Sequence, residues 1–137
     1  MIIARAIVAA VMAGFFISCR HQVQVGPEIK ELTIVLLPDG GSQCRIRTNP
    51  PRIPVNKRNL DQVRWRIVDA CKGIESFKEV TIRFDKGQPN PFTGACALTG
   101  TQEIGPCGLD PSARRGTHAY SVNLGSIKED PELEIVC

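Results

Sequence analysis

The amino-acid sequence predicts an all-β protein, an antiparallel β-sandwich stabilised by disulfides, and three observations predict it. Short runs alternate strictly between apolar and polar residues, which puts one face of a strand in a core and the other in water. Signals built on Gly, Pro, Asn and Asp separate those runs at short intervals. Six cysteines stand in a chain of 137 residues that begins with an export-type leader. With 42% hydrophobic and 23% charged residues, the composition is that of one globular domain. Aromatics make up only 5%, so the core must rest mainly on Val, Ile and Leu. The net charge of +3 is too small to point to nucleic acid as a partner.

The leader is residues 1–18. It carries one positive charge at Arg5, an apolar run from Ala6 to Ile17 and the small residue Ser18 before Cys19. The run falls short of the roughly 20 residues of a membrane-spanning helix. Phe16-Ile17-Ser18-Cys19 resembles the lipobox of bacterial lipoproteins, which implies acylation of Cys19 by a fatty acid such as palmitate and a lipid anchor in the cell envelope. Ordinary cleavage after Ala13 is the alternative, and it would release a secreted protein. Residues 19–27 read as a tether and residues 28–137 as the sandwich domain. Cleavage before Cys19 removes only Arg5 from the charge count, leaving sixteen positive and fourteen negative side chains.

The strands follow in order. Glu31 to Leu37, with the run Ile34-Val35-Leu36-Leu37, reads as a strand covered on both faces or as a poorly alternating one. Cys44-Arg45-Ile46-Arg47 is a short alternating run after the turn Pro38-Asp39-Gly40-Gly41. Asn49-Pro50-Pro51 is a second turn. In Val63-Arg64-Trp65-Arg66-Ile67 the apolar residues face a core and both arginines face solvent. Val80-Thr81-Ile82-Arg83-Phe84 repeats the scheme between the turns Lys72-Gly73 and Asp85-Lys86-Gly87. Lys86 to Thr117 reads as one long connection without a strand, of the kind that in compact domains is functional or disordered. Tyr120-Ser121-Val122-Asn123-Leu124 and Leu133-Glu134-Ile135-Val136-Cys137 complete the set, with Asp130-Pro131 between them. A helix over Leu60 to Ala70 is rejected, because the apolar spacing there has period two.

Cys96 and Cys107 fall close together inside the long connection and are expected to pair. Cys71 and Cys137 each end an apparent strand and form a second candidate pair. An acylated Cys19 leaves five cysteines, hence two bridges and one spare thiol at Cys44; an unmodified Cys19 allows three bridges.

The order of features from Val63 onward, with Trp65, then Val80-Thr81-Ile82-Arg83-Phe84 and Asn90-Pro91-Phe92, then Tyr120-Ser121-Val122, then Asp130-Pro131-Glu132-Leu133-Glu134-Ile135-Val136, resembles small bacterial cupredoxin-like β-sandwich proteins of uncharacterised function. The resemblance implies a cupredoxin-like or immunoglobulin-like fold and carries no functional residues. A blue-copper site needs two His, one Cys and usually an axial Met. Only His21, on the tether, and His118 are present, and both methionines, Met1 and Met12, lie in the leader.

Other chemistry is sparse, and no cofactor is expected. Zinc or redox chemistry would have to use Cys96, Cys107 and His118, which lack the tight Cys-x-x-Cys spacing of structural zinc sites. Hydrolysis would need His118 as base, Asp110 or Asp130 as orienter and Ser121 as nucleophile, without a Gly-x-Ser-x-Gly turn to present the serine. No enzymatic activity is expected. Arg45, Arg47, Arg64, Arg66 and Arg83 occupy outward positions of alternating strands. If those strands adjoin, they form a basic face for anionic envelope material, through bidentate contacts to phosphate or carboxylate. Glu79, Glu132 and Glu134 are the carboxylates that would neutralise it, leaving a solvated face. The expectation is an envelope lipoprotein with a binding or structural role, its partners being the membrane and anionic envelope components or an envelope protein, with a periplasmic metal or redox protein as the alternative.

Overall fold

The computed structural model describes residues 26–73, 79–84 and 89–137. The leader, Cys19, His21 and the turn Asp85-Lys86-Gly87 lie outside the described residues. Those described form strands β1 (Ile29–Pro38), β2 (Cys44–Asn49), β3 (Arg52–Asn56), β4 (Gln62–Asp69), β5 (Val80–Arg83), β6 (Thr99–Gly100), β7 (Glu103–Gly108), β8 (Gly116–Ala119), β9 (Ser121–Leu124), β10 (Ile127–Glu129) and β11 (Glu132–Val136). No helix occurs among them.

Three sheets make up the sandwich, with strand orders β2-β1-β4-β7, β10-β9-β5-β6 and β3-β11-β8. Pairing is mostly antiparallel, but β1 runs parallel to β4 and β3 parallel to β11. A parallel pair cannot be joined by a tight hairpin, and here β2 and β3 intervene between β1 and β4. The expected antiparallel β-sandwich is what the chain forms, with these two parallel pairs set within it.

Alternation places the core as expected in β4, β5, β9 and β11, and β1 proves to alternate as well, burying one side only while Thr33, Val35 and Leu37 are half-buried on the other. Leu32, Ile34 and Leu36 of β1, Val63 and Trp65 of β4, Val80 and Ile82 of β5, Val122 and Leu124 of β9, and Leu133 and Ile135 of β11 are buried. The aromatics among the described residues form one cluster: Trp65 meets Phe92 and Tyr120 edge-on, and Phe84 touches Phe92 and Tyr120. Such pairs add to the free energy of burial. The edges of two sheets are tied where the Thr48 amide donates to both carboxylate oxygens of Glu129, at 2.9 and 3.0 Å.

The long connection is the largest correction. It contains β6, β7 and the start of β8, and a bridge joins Phe92 to Leu109. β7 reads Glu-Ile-Gly-Pro-Cys-Gly, so its glycines and proline conceal a strand that nevertheless pairs with β4. The register shifts between Val63 and Trp65, opposite Gly105, whose φ is +89°. A Cβ at Gly105 would lie 2.6 Å from the Val63 carbonyl oxygen, so this close approach requires glycine.

Cys96 is bonded to Cys107 as expected, with Cα atoms 5.5 Å apart. Cys71 is bonded to Cys44 and not to Cys137, with Cα atoms 5.9 Å apart. The reason is topological. β1 lies between β2 and β4, so the start of β2 and the chain leaving β4 meet beyond the same end of β1. Cys44 is therefore not a spare thiol. Cys137 follows β11 in a different sheet and is itself disulfide-bonded.

Candidate functional site

The outward face of the β2-β1-β4-β7 sheet collects four of the five arginines. Register rows run Arg47–Val35–Val68, Asn49–Thr33–Arg66–Glu103 and Glu31–Arg64, with Arg45 opposite Leu37. Arg83 lies on β5, in another sheet, so the five arginines do not form one face.

The two ends of this face differ in charge. At one end Glu31 receives both neighbouring guanidiniums, Arg66 through Nε and Arg64 through Nη2, the latter at 3.4 Å. Arg64 Nη1 also reaches Glu103 at 3.9 Å, so two arginines face two carboxylates. The neutralising groups are thus Glu31 and Glu103. Of those expected from the sequence, Glu132 and Glu134 engage Arg52 instead. At the other end Arg45 and Arg47 are exposed and have no ion pair among the described residues.

Around these two free cations the surface is apolar. Val35 and Leu37 are half-buried on the outward side of β1, and Val68 is 48% exposed on β4. Sequence reading named the arginines but missed their apolar neighbours. The signal was present in the uninterrupted apolar run of β1: Leu32, Ile34 and Leu36 enter the core, while Val35 and Leu37 form the outer surface.

The residues considered for catalysis are not brought together. His118 is buried, and its Nε2 lies 2.7 Å from the Arg114 carbonyl oxygen; with Nε2–H donating there, Nδ1 is left without a partner. Ser121 Oγ accepts from Asn123 Nδ2 at 2.8 Å. Asp110 accepts from the Ser112 hydroxyl and amide, which together with the charge of Lys57 hold its carboxyl below the usual range. Asp130 lies 3.6 Å from Lys128. Cys96 and Cys107 are bonded to each other, so in this state neither presents a thiolate to a metal. Among the described residues no cluster of three metal-ligating side chains occurs. No family model matches the chain, and no curated protein matches it.

Proposed function

We propose that the chain is an exported, disulfide-stabilised β-sandwich whose role is binding without catalysis, and that it engages anionic lipid headgroups of the cell envelope. One observation carries this reading: Arg45 and Arg47, exposed and without an ion pair among the described residues, stand beside Val35, Leu37 and Val68 on one sheet face. Guanidinium groups recognise phosphate in bidentate fashion, and each basic residue near an anionic bilayer contributes about 1 kcal/mol. The apolar neighbours favour an amphiphile over a purely hydrophilic polymer. Two disulfides fit an oxidising compartment.

The test is co-sedimentation of the unacylated mature chain with vesicles of phosphatidylglycerol and phosphatidylcholine. Binding is expected there, with loss on pure phosphatidylcholine and on replacement Arg45→Glu with Arg47→Glu. Equal binding of wild type and double variant, or none by either, removes the proposal.

Retention by an acyl group on Cys19 belongs to the same reading, and the bond at Cys137 bears on it. A thioether-acylated Cys19 could not complete that bond within one chain. Intact mass of protein from a bacterial membrane fraction, before and after reduction and alkylation, separates the cases. Added acyl mass with four bridged cysteines supports the anchor; an unacylated chain with six bridged cysteines replaces it with a secreted module.

A further inference from the structure

A concave site is built from residues apart from the arginine face. The lining of this cleft of about 300 Å³ includes Lys57 and Leu60 from the turn after β3, Leu109 and Asp110 after β7, Arg115 before β8, and the disulfide-bonded Cys137 after β11. Lys57 and Arg115 face the Asp110 carboxylate there. That carboxylate is already occupied, since Asp110 accepts both the Ser112 amide and the Ser112 hydroxyl. Among the described residues no carboxylate pairs with Arg115. Lys57 uses one of its three N–H groups on the Ala113 carbonyl at 2.7 Å and has two left.

The turn that presents this wall is held from several directions. The Leu60 amide donates to the Lys57 carbonyl and the Asp61 amide to the Asn56 carbonyl. The buried Asp61 carboxylate accepts from the Asn56 and Glu28 amides, and Asn56 Oδ1 accepts from the Asn59 amide. This framework keeps Leu60 at φ 57°, a left-handed conformation that a γ-branched residue seldom adopts, with its side chain 63% exposed at the cleft. Backbone strain maintained at a residue whose apolar side chain faces solvent is a mark of ligand sites.

We infer that the cleft between Lys57, Leu60 and Arg115 binds a small amphipathic organic anion, its phosphate or carboxylate on the cations and its short apolar group against Leu60 and Leu109. The volume stands at the lower end of small-molecule sites, which suits a compact ligand. Because none of these residues belongs to the arginine face, this site and lipid binding stand or fall separately.

Hexyl phosphate and hexanoate are the probes, titrated against the full mature chain while its amide NMR signals are followed. Saturable shifts are expected at Lys57 to Leu60, Leu109, Asp110 and Arg115. Hexanol and inorganic phosphate, each carrying half of the recognised chemistry, should bind at least about tenfold more weakly. Either head group binding more tightly fits the site. Arg115→Ala should weaken hexyl phosphate by about tenfold. Leu60→Gly removes the apolar contact and relieves the left-handed strain together, so the fold should hold or gain stability while hexyl phosphate weakens and inorganic phosphate does not. The inference is overturned if no shift saturates by about 10 mM, a limit that already denotes negligible affinity. It is equally overturned if hexanol matches hexyl phosphate, or if neither variant changes binding.

Discussion

Trp65 donates its indole N–H to the Tyr120 hydroxyl at 3.2 Å, within the core that the sheets enclose. Trp65 is fully buried and Tyr120 nearly so, and the two rings meet edge-on with centroids 5.9 Å apart. Tyr120→Phe keeps the ring contacts but leaves the indole donor buried and unpaired, which costs about 1–3 kcal/mol. Urea unfolding should show a lower midpoint at an unchanged slope.

Burial also pushes the Tyr120 phenol upward from its ordinary value, with the charge of Glu129 adding to the shift and the Trp65 hydrogen bond opposing it. The unfolded chain releases this proton near pH 10, while the folded chain retains it. Above that pH the folded state binds more protons, so stability falls as pH rises, by about 1.4 kcal/mol per pH unit from this one group. Below it the contribution is fully present. The difference in stability between wild type and Tyr120→Phe should therefore shrink as pH is raised from 9 toward 11; a constant difference would refute the assignment.

What could be read from the sequence followed from side-chain alternation. β4 and β5 show it cleanly, and Val63, Trp65, Val80 and Ile82 are where it puts them. β7 was hidden because Gly105 and Pro106 stand where a pairing strand would ordinarily carry β-branched residues, and β3 was hidden by Pro54. Alternation states which face a residue takes, and it is silent on which strand lies alongside. The parallel pairing of β1 with β4, and with it the Cys44–Cys71 bond, was therefore out of reach. So was the neutralisation of Arg64 and Arg66 by Glu31, a residue from an element far away in sequence. The cleft beside Leu60 joins three separate segments, none of which carries a motif.

Asp61 is 1% exposed and accepts the Asn56 amide at 2.9 Å and the Glu28 amide at 3.2 Å. Asp61→Ala strands both donors, and a loss of about 2–4 kcal/mol is expected. Asp61→Asn retains one acceptor oxygen and should recover part of that loss. Thermal melts of the two variants decide it: equal destabilisation would mean that side-chain shape, and not the acceptor pair, is what the turn requires.

The two described disulfides close loops of unequal length, with sequence separations of 27 for Cys44–Cys71 and 11 for Cys96–Cys107. Loop-closure entropy makes removal of the longer bridge costlier by about 0.8 kcal/mol. Double alanine variants compared by urea midpoint should rank in that order. Cys44 and Cys71 are both buried, whereas Cys96 is only half-buried, so packing loss acts in the same direction.

Glu31 holds Arg64 and Arg66 together on the sheet face that carries Arg45 and Arg47. All three side chains are partly exposed, and such ion pairs contribute under about 1 kcal/mol to folding. Glu31→Gln should therefore leave the melting temperature nearly unchanged. It should also release Arg66 fully and Arg64 except for its 3.9 Å contact with Glu103. If this face meets anionic lipid, the variant should bind phosphatidylglycerol vesicles about tenfold more tightly at low salt, from one to two added cations at about 1 kcal/mol each. The gain should fade as ionic strength rises, because exposed charges are screened. Unchanged or weaker vesicle binding by a fully folded Glu31→Gln variant would place the lipid contact elsewhere on the molecule.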